Sequence, residues 1–187
     1  ETGVPVKPTD ASTDFGSLAA FSSYPARLPP YAFPEPVSPH LAARRANVTI
    51  ECNRIVDWVN AHAARYVLVE TAGAVLSPLS KTETNLDLAR ALKPDLVLLV
   101  APDRLGVLHD VASTLHVYRT LAPQMPEPLI LLQQPMVTDS STGTNAEEIV
   151  WLGTTPRVFM FPRAKPTDPA VQDVARSILA AWNITER

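Results

Sequence analysis

The sequence predicts an α/β fold of three layers, in which a mainly parallel sheet has helices on both faces. Two observations support this prediction: short runs of apolar, often β-branched residues alternate with helical segments, and each run is apolar on both faces. The runs expected as strands are 66–70, 95–100, 128–132 and 158–161. Such strands need cover on both sides, and the crossover helices of a parallel sheet provide it.

The predicted helices lie around and between these strands. The segments with helical spacing of apolar residues are 52–64, 85–92, 107–121 and 145–151. A last helix is expected from Asp168 to Trp182, with Pro169 in its first turn. The proline-rich segment 1–40 predicts loop, apart from a short helix at 14–21. At 187 residues the chain is expected to form a single domain, 1–187.

Composition argues against several classes of function. With 16 Lys and Arg against 19 Asp and Glu, the chain offers no basic surface for a phosphate backbone, so nucleic acid is not an expected partner. No run of about 18 consecutive apolar residues occurs, so no membrane span is expected. The single cysteine, Cys52, cannot form an internal disulfide and is typical of a reducing compartment, which predicts a cytoplasmic location.

The residues that follow the predicted strands are the first candidates for a site, because ligands of parallel sheets bind beyond the carboxyl ends of the strands. Residues 70–74 follow the first strand, 101–106 the second and 133–135 the third. Small residues and Gly73 let backbone N–H groups approach an anion closely. Glu70 ends a predicted buried strand, where its charge needs a metal, a cation or hydrogen-bond donors.

Several segments together resemble the ATP-dependent dethiobiotin synthetases in order and spacing. They are residues 31–40, 67–73, 76–79 and 104–106. Residues 1–3, Glu-Thr-Gly, also resemble the end of the family's Lys-Pro-x-Glu-Thr-Gly segment. The resemblance extends from Glu1 to about Val158.

This resemblance implies a P-loop-type α/β fold, a homodimer, ATP, Mg²⁺ and a ligase of biotin biosynthesis. The implied reaction closes the ureido ring of dethiobiotin from 7,8-diaminopelargonate and CO₂, through a carbamate and a mixed carbamic–phosphoric anhydride. Two alternatives stay open. One is a related P-loop ligase acting on another amine or carboxylate, and the other is a non-catalytic relative that dimerises or binds a ligand.

The resemblance also implies roles for individual residues. The implied metal ligands are Glu70 and Asp14, with Asp10 as the competitor of Asp14. The implied nucleotide-binding residues are Glu70, Thr71, Ala72, Gly73, Gln133, Gln134, Pro156, Arg157 and Val158. The implied substrate-binding residues are Thr2, Pro78 and Leu79, with Gly106, Val107 and Leu108 contributed by the other subunit.

Two departures from the family pattern qualify these expectations. The 187 residues contain neither Gly-x-x-x-x-Gly-Lys-Thr nor the lysine of Lys-Pro, so the catalytic lysines are expected upstream of Glu1. The chain is accordingly expected to be a partial copy that lacks the first strand and the phosphate loop. Gln133 and Gln134 stand where the family often has an Asn beside the adenine, which leaves the nucleotide preference open.

Overall fold

The structure is a computed structural model that describes residues 2–3, 14–22, 28–62, 64–155 and 157–184, with residues 14 and 15 described by backbone alone. The chain forms two compact units, Glu1–Lys93 and Pro94–Arg187. The helices of the first unit are α1 (Asp14–Ala19), α2 (Pro39–Arg45), α3 (Cys52–Asn60) and α4 (Asn85–Leu92). The second unit contains β1 (Leu98–Pro102), α5 (Val107–Leu121), β2 (Leu129–Gln133), α6 (Asn145–Trp151), β3 (Val158–Phe161) and α7 (Pro169–Ala181).

The second unit has a sheet of three parallel strands with β2 in the middle. Ile130 and Leu132 of β2 pack in one core cluster with residues of α5 and α6. Leu129 and Leu131 point the other way and pack with Ile178 of α7. This alternation is the period of two expected of a strand buried on both faces. The predicted three-layer α/β class is therefore confirmed.

Helix ends in the second unit follow from local chemistry. Gly106 precedes α5 with a φ of 96°, a conformation that a glycine adopts without steric cost. Asp168 caps α7 by accepting a hydrogen bond from the N–H of Ala170 at 2.9 Å, and Pro169 occupies the first helical position. Both helices begin within one residue of their predicted starts.

The core of the first unit lies among α2, α3 and α4. Its buried residues include Ala42 of α2, Cys52 of α3 and Leu88 of α4. Glu83 accepts a hydrogen bond from the N–H of Cys52 at 3.2 Å and so satisfies a free donor of the first turn of α3. Burial, with the nearby Glu83 carboxylate, raises the pKa of the Cys52 thiol to about 12, so this cysteine acts as a small hydrophobic residue.

Two elements differ in type from the sequence-based prediction, while α3 ends at Asn60 instead of residue 64 and β1 begins at Leu98 instead of residue 95. The predicted strand 66–70 is not a strand, and Leu68 is 82% exposed, because no described segment hydrogen-bonds to this run to form a ladder. Helix α2 was not predicted, and it begins inside the segment 1–40 where loop was expected; Pro39 stands at its start, where proline is compatible with a helix. Within the described residues, no helix is both long and apolar enough to cross a membrane.

Candidate functional site

A cleft of about 320 Å³ lies in the first unit. Three segments that are far apart in the chain line it: Thr2; Val37, Ser38 and Pro39; and Glu70, Thr71, Ala72, Gly73 and Ser77. The structure therefore brings together five of the residues predicted for substrate, nucleotide or metal. Ser38 and Ser77 add two hydroxyl groups that the sequence analysis did not assign to the site.

Thr2 is held in the cleft by its neighbours in the chain. It forms a parallel bridge with Phe33, and the N–H of Gly3 donates to the carbonyl of Glu35 at 3.0 Å. Gly3 has a φ of 76°, and a Cβ there would lie 3.2 Å from the Cβ of Pro36. The close approach of the two segments thus depends on a glycine directly after Thr2.

The second wall is the start of α2. Ser38 precedes the helix, and its hydroxyl lies 2.8 Å from Nδ1 of His40. Behind it, Arg45 forms an exposed ion pair with Glu35. His40 thus makes a local hydrogen bond in this wall.

The third wall is the loop from Glu70 to Ser77, which folds back on itself. The Thr71 hydroxyl donates to the carbonyl of Gly73 at 3.1 Å. Gly73 has a φ of 89°, and a Cβ there would lie 2.5 Å from the hydroxyl oxygen of Ser77. Only glycine fits this position without a shift of the loop, because both the backbone angle and the space exclude a side chain.

Asn85, the first residue of α4, anchors this loop. Its Nδ2 donates to the carbonyl oxygens of Ala72, Gly73 and Ala74 at 3.0, 3.2 and 3.0 Å. The backbone N–H of Asn85 also donates to the carbonyl of Ser77 at 3.0 Å. Nothing in the sequence distinguishes this residue from an ordinary asparagine at a helix start, so sequence analysis did not identify it.

Glu70 is exposed at the cleft and has no hydrogen bond or ion pair with any described residue. No group of three or more His, Cys, Asp or Glu side chains converges among the described residues, so this part of the protein does not enclose a metal by itself. Mg²⁺ suits such a site, since it typically keeps several waters and takes one or two carboxylates together with phosphate oxygens. Asp10 and the side chain of Asp14 lie outside the described residues.

Two predicted substrate residues of the first unit do not line the cleft. Pro78 forms an antiparallel bridge with Thr84. Leu79 is 5% exposed and packs in the core of the first unit. Both residues hold the end of the 70–77 loop next to α4, and contact of either with a ligand stays a prediction.

The three predicted residues at the start of α5 have different environments. Gly106 is exposed and leads into the helix. Val107 is fully buried in the core, and the half-buried Leu108 packs against the same cluster. Because the side chain of Val107 is fully buried, it cannot contact a ligand.

The predicted nucleotide residues of the second unit lie on the strands or next to them. Gln133 ends β2, and its carbonyl accepts from the N–H of Asp103 at 2.8 Å. The carbonyl of Gln134 accepts from Nε of Arg163 at 3.0 Å. Arg157 is exposed, whereas the side chain of Val158 packs against the core; Pro156 lies outside the described residues.

A network that sequence analysis missed follows β1. The Asp103 carboxylate is fully buried and accepts from Nδ2 of Asn145 at 2.6 Å and from the N–H of Gly143 at 2.7 Å. Beside it, Asp139 accepts from the N–H of Leu105 at 2.8 Å. The Ser141 hydroxyl and then the Leu105 N–H lower the pKa of Asp139 to about 2. The signal available was the position of Asp103 in the segment 101–106, which follows a predicted strand.

Comparison with known proteins identifies the family. The model of a family described as an AAA domain matches residues 10–158. The ATP-dependent dethiobiotin synthetase BioD of Anaeromyxobacter sp. (strain Fw109-5) is 40% identical over 154 residues, which are 80% of this chain and 67% of that protein.

Two more relatives carry the same name. The protein of Rhodopirellula baltica is 35% identical over 66% of this chain and 53% of its own length. That of Anaeromyxobacter dehalogenans (strain 2CP-1) is 34% identical over 80% of this chain and 65% of its own length. The chain thus spans between about half and two thirds of the curated relatives that it matches. It belongs to the dethiobiotin synthetase family.

Proposed function

We propose that the protein is an ATP- and Mg²⁺-dependent ligase that closes the ureido ring of dethiobiotin from 7,8-diaminopelargonate and CO₂. The observation that carries the proposal is the cleft of the first unit, where Thr2 meets Glu70 and Gly73 of a loop that begins 68 positions further along the chain. Each of these residues belongs to a segment that resembles the family. The names of the relatives also favour this activity over the alternatives.

The reaction has three balanced steps. One amine of the substrate adds to CO₂ and loses a proton, which gives a carbamate. A carbamate oxygen then attacks the γ-phosphorus of ATP, and the bond to the β-phosphate oxygen breaks, so that ADP leaves. The second amine attacks the carbonyl carbon of the mixed anhydride, loses a proton and expels phosphate, which closes the ring. Catalysis of phosphoryl transfer rests mainly on positioning and on charge stabilisation.

Residues of this chain supply part of that positioning. Glu70 would hold Mg²⁺, with Asp14 as the proposed second carboxylate; the ion would neutralise charge on the phosphates. Thr2 would contact the diamine, while Thr71, Ala72 and Gly73 would border the phosphates. The chain contains no Gly-x-x-x-x-Gly-Lys-Thr sequence, so the proposed site also needs a phosphate loop that these 187 residues do not include.

We assign the second unit to the same domain as the first, 1–187. We also propose that residues of the second unit bind the nucleotide base, namely Gln133, Gln134, Pro156, Arg157 and Val158. The family resemblance favours a homodimer in which the start of α5 meets the substrate carboxylate of the other subunit, and Gly106 at that start is exposed. Analytical sedimentation tests whether the protein is a dimer. A protein that is monomeric and still binds the substrate with full affinity would contradict the proposed homodimer. A cytoplasmic location completes the proposal.

The experiment uses the protein expressed from its complete gene, incubated with ATP, Mg²⁺, bicarbonate and 7,8-diaminopelargonate, with dethiobiotin measured by mass spectrometry. Glu70→Gln removes the charge but keeps the shape of the side chain, so we expect turnover to fall by about 100-fold or more. The fold should stay intact, because Glu70 has no partner among the described residues.

Asp57→Asn is the matched control, since Asp57 is an exposed carboxylate on α3 of the same unit. We expect its turnover to equal that of the unaltered protein. Unchanged turnover of Glu70→Gln would remove Glu70 from the site. No dethiobiotin from the unaltered protein would overturn the proposed function.

A further inference from the structure

We infer that Asn85 is a positioning residue for the phosphates of the nucleotide, acting through the loop 70–77 without touching the ligand. The inference rests on the proposed function, because it assigns the loop to ATP. Asn85 is 3% exposed and does not line the cleft, so any effect on a ligand must pass through the backbone that it holds.

The hydrogen bonds from the Asn85 amide fix the direction in which three peptide units of the loop point. The carbonyls of Ala72, Gly73 and Ala74 all point at the Asn85 amide nitrogen. In a trans peptide the C=O and the following N–H point in opposite directions. The N–H groups of residues 73, 74 and 75 therefore point away from Asn85, and none of them donates to a described residue.

A backbone N–H group without a partner in the fold is available as a donor to an anion, and the N–H of Gly73 belongs to a residue that lines the cleft. Ala72 and Gly73 lie on the surface of the cleft beside Glu70. A phosphate oxygen bound through Mg²⁺ at Glu70 would thus meet the N–H of Gly73, whose peptide unit the Asn85 amide orients through the carbonyl of Ala72. The exposed small residues of this loop leave room for that approach.

Attachment of the loop to α4 does not need this amide. The backbone N–H groups of Asn85 and Leu86 already donate to the carbonyls of Ser77 and Val75, at 3.0 and 2.9 Å. These two bonds do not depend on the side chain at position 85. The side chain of Asn85 adds only the orientation of the three peptide units whose carbonyls belong to residues 72–74.

The other half of the same amide strengthens the argument. The Oδ1 atom of Asn85 is buried and has no hydrogen-bond partner among the described residues. A buried acceptor left unsatisfied destabilises the fold, so an apolar residue would be the better choice for packing alone. The NH₂ group explains why an asparagine stands at this position, because it donates to three carbonyl oxygens.

The test compares Asn85→Leu, which has no donor, with Asn85→Ser, which keeps one. We expect Asn85→Leu to raise the KM for ATP by about tenfold or more, and Asn85→Ser to raise it less, because mispointed peptide units no longer offer their N–H groups. The KM for 7,8-diaminopelargonate should change by less than about twofold in both variants, which a general loss of structure would not produce. Asn53→Leu, at an exposed position on α3, is the matched control.

A measurement on the unaltered protein keeps the inference testable if Asn85→Leu does not fold. We expect addition of MgATP to shift the amide resonances of Gly73, Ala74 and Val75. Bound ATP without these shifts, or a folded Asn85→Leu with an unchanged KM for ATP, would overturn the role of Asn85. Absence of ATP binding and of dethiobiotin formation in the unaltered protein would instead overturn the proposed function, and the inference with it.

Discussion

Two loops of this protein begin with a carboxylate that follows an apolar run, and the two carboxylates have opposite environments. Glu70, in the first unit, is exposed at a cleft and has no partner among the described residues. Asp103, in the second unit, is fully buried and accepts bonds from Asn145 and Gly143. The same local sequence pattern thus yields one exposed carboxylate without a partner among the described residues and one buried structural anchor.

Asparagine amides mark the difference between the two loops. Asn145 donates to the side chain of Asp103, so the amide satisfies a charge. Asn85 donates to three backbone carbonyls, so the amide orients peptide units and leaves the carboxylate of Glu70 free. A carboxylate whose oxygens are occupied within the fold has little capacity left for a metal.

The largest effect is expected from Asp103→Ala. This substitution removes the fully buried acceptor to which the buried Asn145 amide and the Gly143 N–H donate, and we expect a loss of about 2 to 4 kcal/mol in the free energy of unfolding. Urea unfolding followed by circular dichroism measures it. Glu70→Gln, in the same experiment, should change this free energy by less than about 0.5 kcal/mol. Equal losses in the two variants would show that the two carboxylates do not differ as described.

A smaller effect is expected from Gly73→Ala. The φ of 89° is strained for alanine, which costs about 1 to 2 kcal/mol, and the new Cβ would also meet the Ser77 hydroxyl. We expect weaker ATP binding by calorimetry as the loop shifts. Gly153→Ala is the control, because its φ of 66° is similarly strained but its Cβ would meet nothing within 4 Å. If both variants bind ATP equally, the contact with Ser77 does not shape the loop.

The smallest effect concerns pH. The pKa of Asp139 is lowered to about 2, chiefly by the Ser141 hydroxyl, from an ordinary value of about 3.9. Because the folded pKa is the lower one, the stabilisation is fully present above about pH 4 and is lost as the pH falls toward about 2. We expect the stability difference between the unaltered protein and Asp139→Asn to shrink over this range.

Ser141→Ala provides the check on the cause of this shift. Removal of the hydroxyl should raise the pKa of Asp139 toward its ordinary value, as followed by the carboxyl resonance of Asp139 in NMR. An unchanged titration would assign the low pKa to the backbone donors alone.

Most elements of the fold could be predicted from periodicity. Helix α4 and strand β3 have the predicted bounds, and α5 spans the predicted segment. The run 66–70 was wrong as a strand, because an apolar run becomes a strand only when another segment hydrogen-bonds to it. Helix α2 was missed because prolines were read as breakers, although proline at the first helical position is favourable.

The site was predictable where it depends on motifs and not where it depends on contacts. Thr2, Glu70 and Gly73 were found because each lies in a segment with a family pattern, and the structure places them in one cleft. The roles of these residues toward ligands stay predictions. Asn85 and Asp103 were missed, because their importance comes from partners that are separated from them by 11 to 13 and by 40 to 42 residues.

The order of helices and strands from α4 to α7, the α/β class and the family follow from the sequence alone, since periodicity and motifs are local properties of the chain. The tertiary structure alone decided which carboxylate is free and which is buried. The physical reason is that a carboxylate is satisfied by whichever donors the fold brings to it, and the donors to Asp103 come from a loop that its own neighbours in sequence do not reveal.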